Sequence, residues 1–218
     1  MLDANGQPWG LDVVYLVQGK LTSRLARFQP GQPLEVWGPL GNGFAGQPTP
    51  HLVMVAGGIG QTPFMALGRE YRGLRVYGEA PRAVAPLGKV TLCYGARTAA
   101  YLAGLEEFSS LGIDLRLATD DGSAGHHGLV THLLEQVLAE SAAPVRVVAC
   151  GPEPMLAAVA RLTAQRGVRC EVSLETPMAC GIGICFTCVA RVRDSSGGWD
   201  YKRTCVEGPV FDATRLEW

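Results

Sequence analysis

Short apolar runs alternate with helical patterns along most of this chain. From residue 51 onwards five such runs predict strands, and they cover 51–56, 90–94, 113–118, 145–150 and 168–173. Between them, helices are predicted by a Thr-Pro start at Thr62 and by apolar residues spaced four apart, as at Leu129, Leu133 and Val137. Strands separated by helices indicate an α/β fold with a doubly wound parallel sheet.

The first residues show a different pattern. Strand-like segments at 11–17 and 34–36, a short helical run over 23–28 and Gly-rich turns predict an all-β fragment. A closed barrel of six strands, at about 5–6 residues each plus turns, needs more chain than this. We therefore predict a partial β-barrel over residues 1–47.

The last part of the chain is rich in Cys and Gly. It contains a predicted strand over 186–192, a turn at 195–198 and a return through Tyr201. This composition differs from that of the alternating region before it. We predict a sheet domain over 48–174 and a small C-terminal domain over 175–218.

Composition excludes several classes of protein. The 19 Lys and Arg residues against 20 Asp and Glu give a net charge of −1, with no basic run, so no nucleic-acid partner is expected. The apolar runs fall far short of the ~20 residues that span a bilayer, so no membrane association is expected. Residues 1–6 lack the features of an export signal. We expect a cytoplasmic protein, in whose reducing surroundings the 7 Cys favour metal binding over disulfides.

Four of the cysteines have a characteristic spacing. Cys180, Cys185 and Cys188 form a C-x4-C-x2-C motif, and Cys205 follows later in the chain. This is the ligand order of a plant-type [2Fe–2S] cluster. The glycines within the motif suit a loop that must turn tightly and aim N–H groups at sulfur.

Three other interpretations of these cysteines stay open. A structural zinc site usually pairs two C-x2-C hooks, whereas only one is present. A redox-active pair at Cys185 and Cys188 would open a helix after a strand, but Gly-Ile-Gly-Ile precedes it. Four buried thiols without a ligand are the third alternative.

A glycine-rich turn follows the first predicted strand of the sheet. Gly57, Gly58 and Gly60 lead into the helix that begins near Thr62. Such a turn lets a dinucleotide pyrophosphate approach backbone N–H groups and the positive end of the helix dipole. A tight turn needed only for packing is the alternative.

Other loops fall at the carboxyl ends of predicted strands. Cys150 and Gly151 follow one strand, Arg97 another, and Asp120 a third. Ligands of open α/β sheets bind in the crevice beyond those ends, so these residues are candidate nucleotide contacts. Arg97 is the single cation of its loop, and the acidic Asp120 and Asp121 would repel a 2′-phosphate, which favours NAD over NADP.

A further candidate lies in the N-terminal fragment. Gly19, Lys20, Thr22 and Ser23 precede or open a short helical run, where amides and hydroxyls can hold an anion. Ser23 as a simple helix cap is the alternative.

Together these residues resemble the electron-transfer subunits of type B dihydroorotate dehydrogenase, within the ferredoxin-reductase-like flavoprotein superfamily. In the last domain the resemblance rests on Glu175-x-x-Met178-x-Cys180-Gly-x-Gly-x-Cys185-x-x-Cys188 and Cys205-x-x-Gly208-Pro209-Val210-Phe211. In the sheet domain it rests on Gly57-Gly58-Ile59-Gly60, Tyr94-Gly95-Ala96-Arg97 and Cys150-Gly151-Pro152. The resemblance covers nearly the whole chain.

The resemblance implies cofactors, a partner and a role in pyrimidine biosynthesis. Electrons would pass from FMN on a separate catalytic dihydroorotate dehydrogenase subunit to a [2Fe–2S] cluster on the four cysteines, then to FAD and then to NAD. The family implies a heterotetramer with two copies of each subunit. Because the partner would act on dihydroorotate, we predict no catalytic residue in this chain.

The N-terminal fragment departs from the family pattern. Leu21 stands where the flavin pyrophosphate loop usually has a second Gly, and the family's upstream Arg-x-[Tyr/Phe]-[Ser/Thr] motif is missing from the sequence. We therefore expect 1–47 to be a truncated FAD-binding β-barrel that binds FAD poorly.

Two other functions stay open. One is a related flavin and iron–sulfur subunit of a ferredoxin:NADP transhydrogenase or sulfide dehydrogenase. The other is a cluster-bearing binding module without an enzymatic role.

Overall fold

The computed structural model describes residues 10–77 and 88–218. The chain forms two compact units, Met1–Gly38 and Pro39–Trp218. The prediction that no export signal is present concerns residues 1–6, which lie outside the described residues. The domain boundaries predicted from the sequence stay a prediction.

In the first unit, the described residues contain one short helix, α1 (Lys20–Leu25), which begins three residues before the predicted run over 23–28. The strands predicted over 11–17 and 34–36 are wrong, since neither segment forms a strand. A strand requires a hydrogen-bonded neighbour, and the described residues of this unit supply none to either segment. Their apolar side chains, such as Leu11 and Val36, are exposed.

The second unit contains the remaining elements. Its helices are α2 (Thr62–Tyr71), α3 (Leu105–Ser110), α4 (Val130–Glu140) and α5 (Glu153–Gln165). Its strands are β1 (His51–Gly57), β2 (Lys89–Ala96), β3 (Asp114–Thr119), β4 (His126–His127), β5 (Val145–Cys150), β6 (Arg169–Ser173), β7 (Val189–Arg193), β8 (Trp199–Arg203) and β9 (Val210–Asp212). Short 3₁₀ helices cover Gly58–Gln61, Ala99–Tyr101 and Ala213–Arg215.

Seven strands form one sheet in the order β4-β3-β2-β1-β5-β6-β9. All neighbouring pairs are parallel except β6 and β9, which are antiparallel. The five strands predicted from residue 51 onwards are confirmed, with ends that differ by at most two residues. The predicted α/β class with a parallel sheet is therefore confirmed.

The central strand β1 is buried along its whole length. Its side chains alternate between the two faces of the sheet, as the pleat requires. Val53 and Val55 pack with apolar residues of α4 and α5, which cover one face. Leu52, Met54 and Ala56 pack with residues of α2 and α3 on the other face. The predicted double winding is thus confirmed by two separate clusters of buried side chains.

The cysteine-rich segment is joined to this sheet through its last strand. β7 and β8 form a two-stranded antiparallel hairpin, which confirms the predicted strand, turn and return. The chain then enters the main sheet as β9, where Phe211 pairs with Val172 of β6. The segment that follows Cys205 is therefore part of the sheet's edge.

A buried histidine begins the central strand. His51 Nδ1 lies 3.0 Å from Ser141 Oγ, and its Nε2 lies 2.9 Å from Thr91 Oγ1. Burial lowers the pKa of His51 below its usual 6.5, and the charge of Lys89 lowers it further. The folded protein therefore holds this ring neutral at a pH where an unfolded chain begins to protonate it.

We expect the unfolding free energy to fall as the pH falls through about 6.5, towards the lower pKa of folded His51. The sign follows because the unfolded chain binds the proton first and is thereby stabilised. In His51→Asn, which keeps a hydrogen-bonding side chain, the contribution of His51 to the pH dependence of the unfolding free energy should vanish. Urea unfolding at several pH values measures it; equal slopes in the two proteins would contradict the expectation.

Candidate functional site

Two of the four motif cysteines meet at the base of the β7–β8 hairpin. Cys188 directly precedes β7, and Cys205 follows β8 after one residue. The hairpin register pairs Val189 with Arg203, and the Thr204 N–H donates to the Cys188 carbonyl at 2.7 Å. As a result the two Sγ atoms lie 3.2 Å apart, and both side chains are buried.

The other two cysteines lie on the loop before the hairpin. Cys180 is partly exposed, Cys185 is exposed, and their side chains are hydrogen-bonded to each other. Gly181 and Gly183 have φ values of +68° and +82°, which favour glycine. The loop therefore turns at the two positions where the motif supplies glycine.

Backbone N–H groups point at a sulfur in this loop. The Ile182 N–H, followed by the Cys185 side chain, lowers the pKa of the Cys180 thiol to about 6. The thiolate is the form that ligates a metal. In contrast, burial raises the pKa of Cys93 and of Cys170 to about 12, so these thiols stay protonated, as expected for small buried side chains.

The donor set fits a two-iron cluster. The thiols form two pairs, Cys180 with Cys185 and Cys188 with Cys205, and a [2Fe–2S] cluster takes two thiolates on each iron. Over residues 10–77 and 88–218, no three or more His, Cys, Asp or Glu side chains are gathered to hold one metal ion. The pairing of the thiols matches the two-by-two ligation of the cluster.

Three residues near the cysteines were missed by the sequence analysis. Arg203 donates to the Gly183 carbonyl at 2.7 Å and pairs with Glu207. Asn42 donates to the carbonyls of Glu207 and Val210 at 3.0 and 2.9 Å. The Gly-Asn-Gly sequence at Asn42 indicated only a turn, and no spacing links it to residues 165 positions later.

The candidate nucleotide residues gather at the carboxyl edge of the sheet. The register pairs Gly57 with Gly95, Ala56 with Cys150 and Ala96 with Thr119, so the loops that follow these strands share one edge. Those loops carry Gly58, Gly60 and Thr62 after β1, Arg97 after β2, Asp120 after β3, and Gly151 after β5. The sequence therefore predicted correctly which loops meet.

Close packing accounts for two of the glycines. A Cβ on Gly60 would lie 2.2 Å from the Cys150 carbonyl oxygen, and one on Gly57 would lie 2.7 Å from Met155 Sδ. Gly58 is different: its φ is +55°, and a Cβ there would meet no atom within 4 Å. The turn thus serves packing at Gly57 and Gly60, and it leaves an open surface at Gly58.

The helix after this turn begins at Thr62, where the sequence predicts its start, with Gln61 at the N-cap position. Pro63 lies in its first turn, as predicted. The cap residue makes no side-chain hydrogen bond to the helix. The Thr62 N–H donates to the Ile59 carbonyl of the preceding 3₁₀ turn, and Pro63 has no N–H, so it is the positive end of the helix dipole that favours an anion here.

Two acidic residues follow β3 and have different roles. The Asp121 carboxylate accepts hydrogen bonds from the Ser123 N–H at 3.0 Å and the Ser123 hydroxyl at 2.6 Å, which lowers its pKa and closes the turn. The Asp120 N–H donates to the Ala96 carbonyl at 3.1 Å. Within the described part of the chain, the Asp120 carboxylate and the Arg97 guanidinium have no side-chain hydrogen bond.

The cysteine at this edge is a neutral thiol. Burial raises the pKa of Cys150 to about 11. A cavity of about 310 Å³ extends from Gly151 and Pro152 to Val189 of β7 and to Trp218. The nucleotide edge and the cysteine hairpin therefore border the same cavity.

The predicted anion site of the first unit lies on α1. The helix begins at Lys20 with Gly19 at the N-cap, and the Thr22 hydroxyl accepts from the Gln18 N–H at 2.9 Å. Ser23 lies inside the helix, and its N–H donates to the Gly19 carbonyl, so Ser23 is not the helix cap.

Fold and site together define an α/β oxidoreductase with a nucleotide-binding edge and an attached iron–sulfur segment. Residues 54–161 match the family described as "Oxidoreductase NAD-binding domain". Residues 175–217 match the family described as "Iron-sulfur cluster binding domain of dihydroorotate dehydrogenase B".

Relatives that match most of this chain narrow the class of oxidoreductase. The chain is 34% identical over 207 residues to "Dihydroorotate dehydrogenase B (NAD(+)), electron transfer subunit" of Caldanaerobacter subterraneus, covering 94% of this chain and 75% of that protein. It is 40% identical over 204 residues to the protein of the same name from Bacillus caldolyticus, covering 92% and 72%. This chain belongs to the family of dihydroorotate dehydrogenase B electron transfer subunits.

A solved structure supports the same superfamily. The chain matches one from "Insights into flavin-based electron bifurcation via the NADH-dependent reduced ferredoxin-NADP oxidoreductase structure", with a TM-score of 0.73 and 30% identity. The match covers 94% of this chain and 67% of that one. The predicted ferredoxin-reductase-like fold and NAD-linked oxidoreductase class are confirmed, and the predicted [2Fe–2S], FAD and NAD cofactors are supported.

Among the described residues, the structure contains no helix with the length and apolar character needed to cross a membrane.

The packing role of Gly60 gives a direct prediction. In Gly60→Ala the new Cβ would press on the backbone at Cys150, and such overpacking costs about 1–3 kcal/mol. Gly43→Ala is the matched control, because its Cβ would meet nothing within 4 Å. Urea unfolding measures both; an equal, small effect of the two substitutions would show that Gly60 is not needed for packing.

Proposed function

We propose that this chain passes electrons from a partner dihydroorotate dehydrogenase subunit through a [2Fe–2S] cluster and FAD to NAD+, in pyrimidine biosynthesis. The observation that carries the proposal is the pairing of four cysteines, two at the base of the β7–β8 hairpin and two on the loop before it, in a segment whose continuation enters the nucleotide-binding sheet as β9. The names of the relatives support the same role. When bound, the cluster supplies one-electron transfer, and the flavin joins it to the two-electron chemistry of NAD.

Cys180, Cys185, Cys188 and Cys205 would hold the cluster. Two are buried at the hairpin base, and two lie on the loop with the positive-φ glycines. N–H groups such as that of Ile182 point at sulfur and stabilise negative charge there.

The carboxyl edge of the sheet would bind the pyridine nucleotide. Gly57, Gly58, Gly60 and Thr62 would place the pyrophosphate at the N-terminus of α2, where the positive end of the helix dipole favours an anion. Arg97 and Asp120 would contact the adenosine ribose, while Cys150 and Gly151 border the same crevice. The neutral Cys150 thiol adds no charge beside the nucleotide.

FAD would contact the start of α1. Gly19, Lys20, Thr22 and Ser23 offer backbone N–H groups, two hydroxyls and a cation to its pyrophosphate. Gly19 and Lys20 are exposed, and Thr22 and Ser23 are partly exposed, so a ligand can reach them.

The partner would hold the dihydroorotate site. The relatives are named electron transfer subunits, which implies a catalytic subunit beside them. We propose that this partner carries FMN and that two copies of each subunit assemble into a heterotetramer.

The cluster assignment is tested by Cys185→Ser. Loss of one thiolate should abolish the iron–sulfur absorption of anaerobically purified protein, because ligand number decides whether the cluster assembles. Cys170→Ala is the control. Cys170 is buried in β6 and stays protonated, so the iron–sulfur absorption of this variant should equal that of the unsubstituted protein. An unchanged visible spectrum in Cys185→Ser would refute the assignment.

The nucleotide site predicts a preference for NAD+ over NADP+. The Asp120 carboxylate lies on the edge where the 2′-phosphate would bind, and like charges within about 8–10 Å repel. We expect NAD+ to bind about tenfold more tightly, which corresponds to about 1.4 kcal/mol. Asp120→Asn should narrow this difference, whereas Glu135→Gln, on the exposed surface of α4, should preserve it.

Calorimetric titration with both nucleotides measures these affinities. Equal or tighter binding of NADP+ by the unsubstituted protein would overturn the preference for NAD+. That result would favour a subunit of a ferredoxin:NADP transhydrogenase.

A further inference from the structure

An ion pair beside the fourth cysteine also contacts the loop that carries the other cysteines. Arg203 is the last residue of β8, and Glu207 comes two residues after Cys205. The Arg203 Nη1 donates to the Gly183 carbonyl at 2.7 Å, and its Nε donates to Glu207 at 3.0 Å. One guanidinium therefore joins the loop over 180–188 to the turn over 203–207.

The loop is held at Arg203 by more than one contact. The guanidinium carbon lies 5.0 Å from the centre of the Phe186 ring. Phe186 has a φ of +54°, the one positive value at a non-glycine position among the described residues. A Cβ on Gly183 would lie 2.5 Å from Val206 Cγ2, so the loop rests directly on the turn. The guanidinium thus stabilises a backbone conformation that a phenylalanine does not favour by itself.

The carboxylate of Glu207 completes the arrangement. It accepts from the Arg203 side chain and from the Arg203 backbone N–H at 2.7 Å. An arginine and a glutamate joined in this way are both charged at neutral pH, so the carboxylate partly offsets the cation.

The cation lies beside the residues that would hold the cluster. Its Nη1 donates to the carbonyl of Gly183, which lies between Cys180 and Cys185, and Arg203 itself is two residues from Cys205. An electron added to a cluster held by these cysteines would bring one negative charge near the guanidinium. A cation stabilises that charge and a carboxylate opposes it, so each shifts the reduction potential in its own direction.

We propose that Arg203 is a positioning residue for the cluster: it fastens the loop of Cys180, Cys185 and Cys188 to the turn of Cys205, and with Glu207 it sets the reduction potential of the bound cluster. The inference rests on the proposed [2Fe–2S] site. It adds two functional residues that are not ligands.

Three substitutions separate the two roles. Arg203→Gln removes the charge and most of the contacts, Arg203→Lys keeps the charge but cannot bond Gly183 and Glu207 together, and Glu207→Gln removes only the negative charge. The control pair is Arg191 and Glu217, whose side chains are 3.0 Å apart and join the same hairpin to the end of the chain. Arg191→Gln and Glu217→Gln should leave the cluster unaffected.

The readouts are a redox titration of the visible absorbance and the rate of bleaching by an iron chelator, both on anaerobically purified full chain. We expect Arg203→Gln to lower the potential, Glu207→Gln to raise it, and Arg203→Lys to leave it near that of the unsubstituted protein. Both Arg203 variants should bleach several-fold faster. If Arg203→Gln fails to retain the cluster, the unchanged potential expected for Arg203→Lys and the raised potential expected for Glu207→Gln still test the proposal.

The electrostatic role would be overturned if the reduction potential shifted in the same direction in Arg203→Gln and Glu207→Gln. It would also be overturned if the potential shifted in neither variant. Bleaching as slow as in the Arg191 and Glu217 variants would overturn the positioning role. Absence of iron–sulfur absorption in the unsubstituted protein is a separate result, because it would refute the cluster assignment itself.

Discussion

The burial of β1 on both faces is the constraint on which the rest of the second unit depends. A strand with Val53 and Val55 on one face and Leu52 and Met54 on the other must be covered twice, so the connections between strands become helices on both sides. Parallel strands joined in this way all end at one edge. The turn after β1 can then supply backbone N–H groups at the one place where several loops converge.

The same constraint explains how an iron–sulfur segment attaches to a nucleotide-binding sheet. β6 forms the edge of the parallel strands, and β9 pairs with it in the antiparallel direction. Asn42 fixes the chain just before β9 through hydrogen bonds to Glu207 and Val210. The hairpin that positions Cys188 and Cys205 is therefore held by the sheet on one side and by its own register on the other.

The elements that were predicted from the sequence are those with local signals. The run at 145–150 is continuous and apolar because β5 is buried on both faces, and its predicted ends agree with the structure. The predicted strand at 186–192, turn at 195–198 and return through Tyr201 form the β7–β8 hairpin, which brings Cys188 and Cys205 together. In both cases the signal comes from a short stretch of sequence.

Features that depend on distant partners were not predicted. The segments 11–17 and 34–36 have strand-like composition, yet a strand also requires a paired neighbour, which composition cannot provide. The contacts of Asn42 with residues near 207 and of Arg203 with Gly183 cross long stretches of chain. Likewise, the packing of Gly60 on Cys150 follows from the β1–β5 register and has no signal in the glycine-rich turn itself.

The central claim is that this chain joins an iron–sulfur centre to NAD through a flavin. The most direct measurement is an iron, sulfide and flavin analysis of anaerobically purified protein, followed by addition of NADH in the presence of excess FAD, because weak FAD binding is expected. The account predicts about two iron and two sulfide per chain and a partial loss of the cluster's visible absorbance when NADH is added. Zinc in place of iron, or a cluster whose absorbance does not respond to NADH with FAD bound, would contradict it.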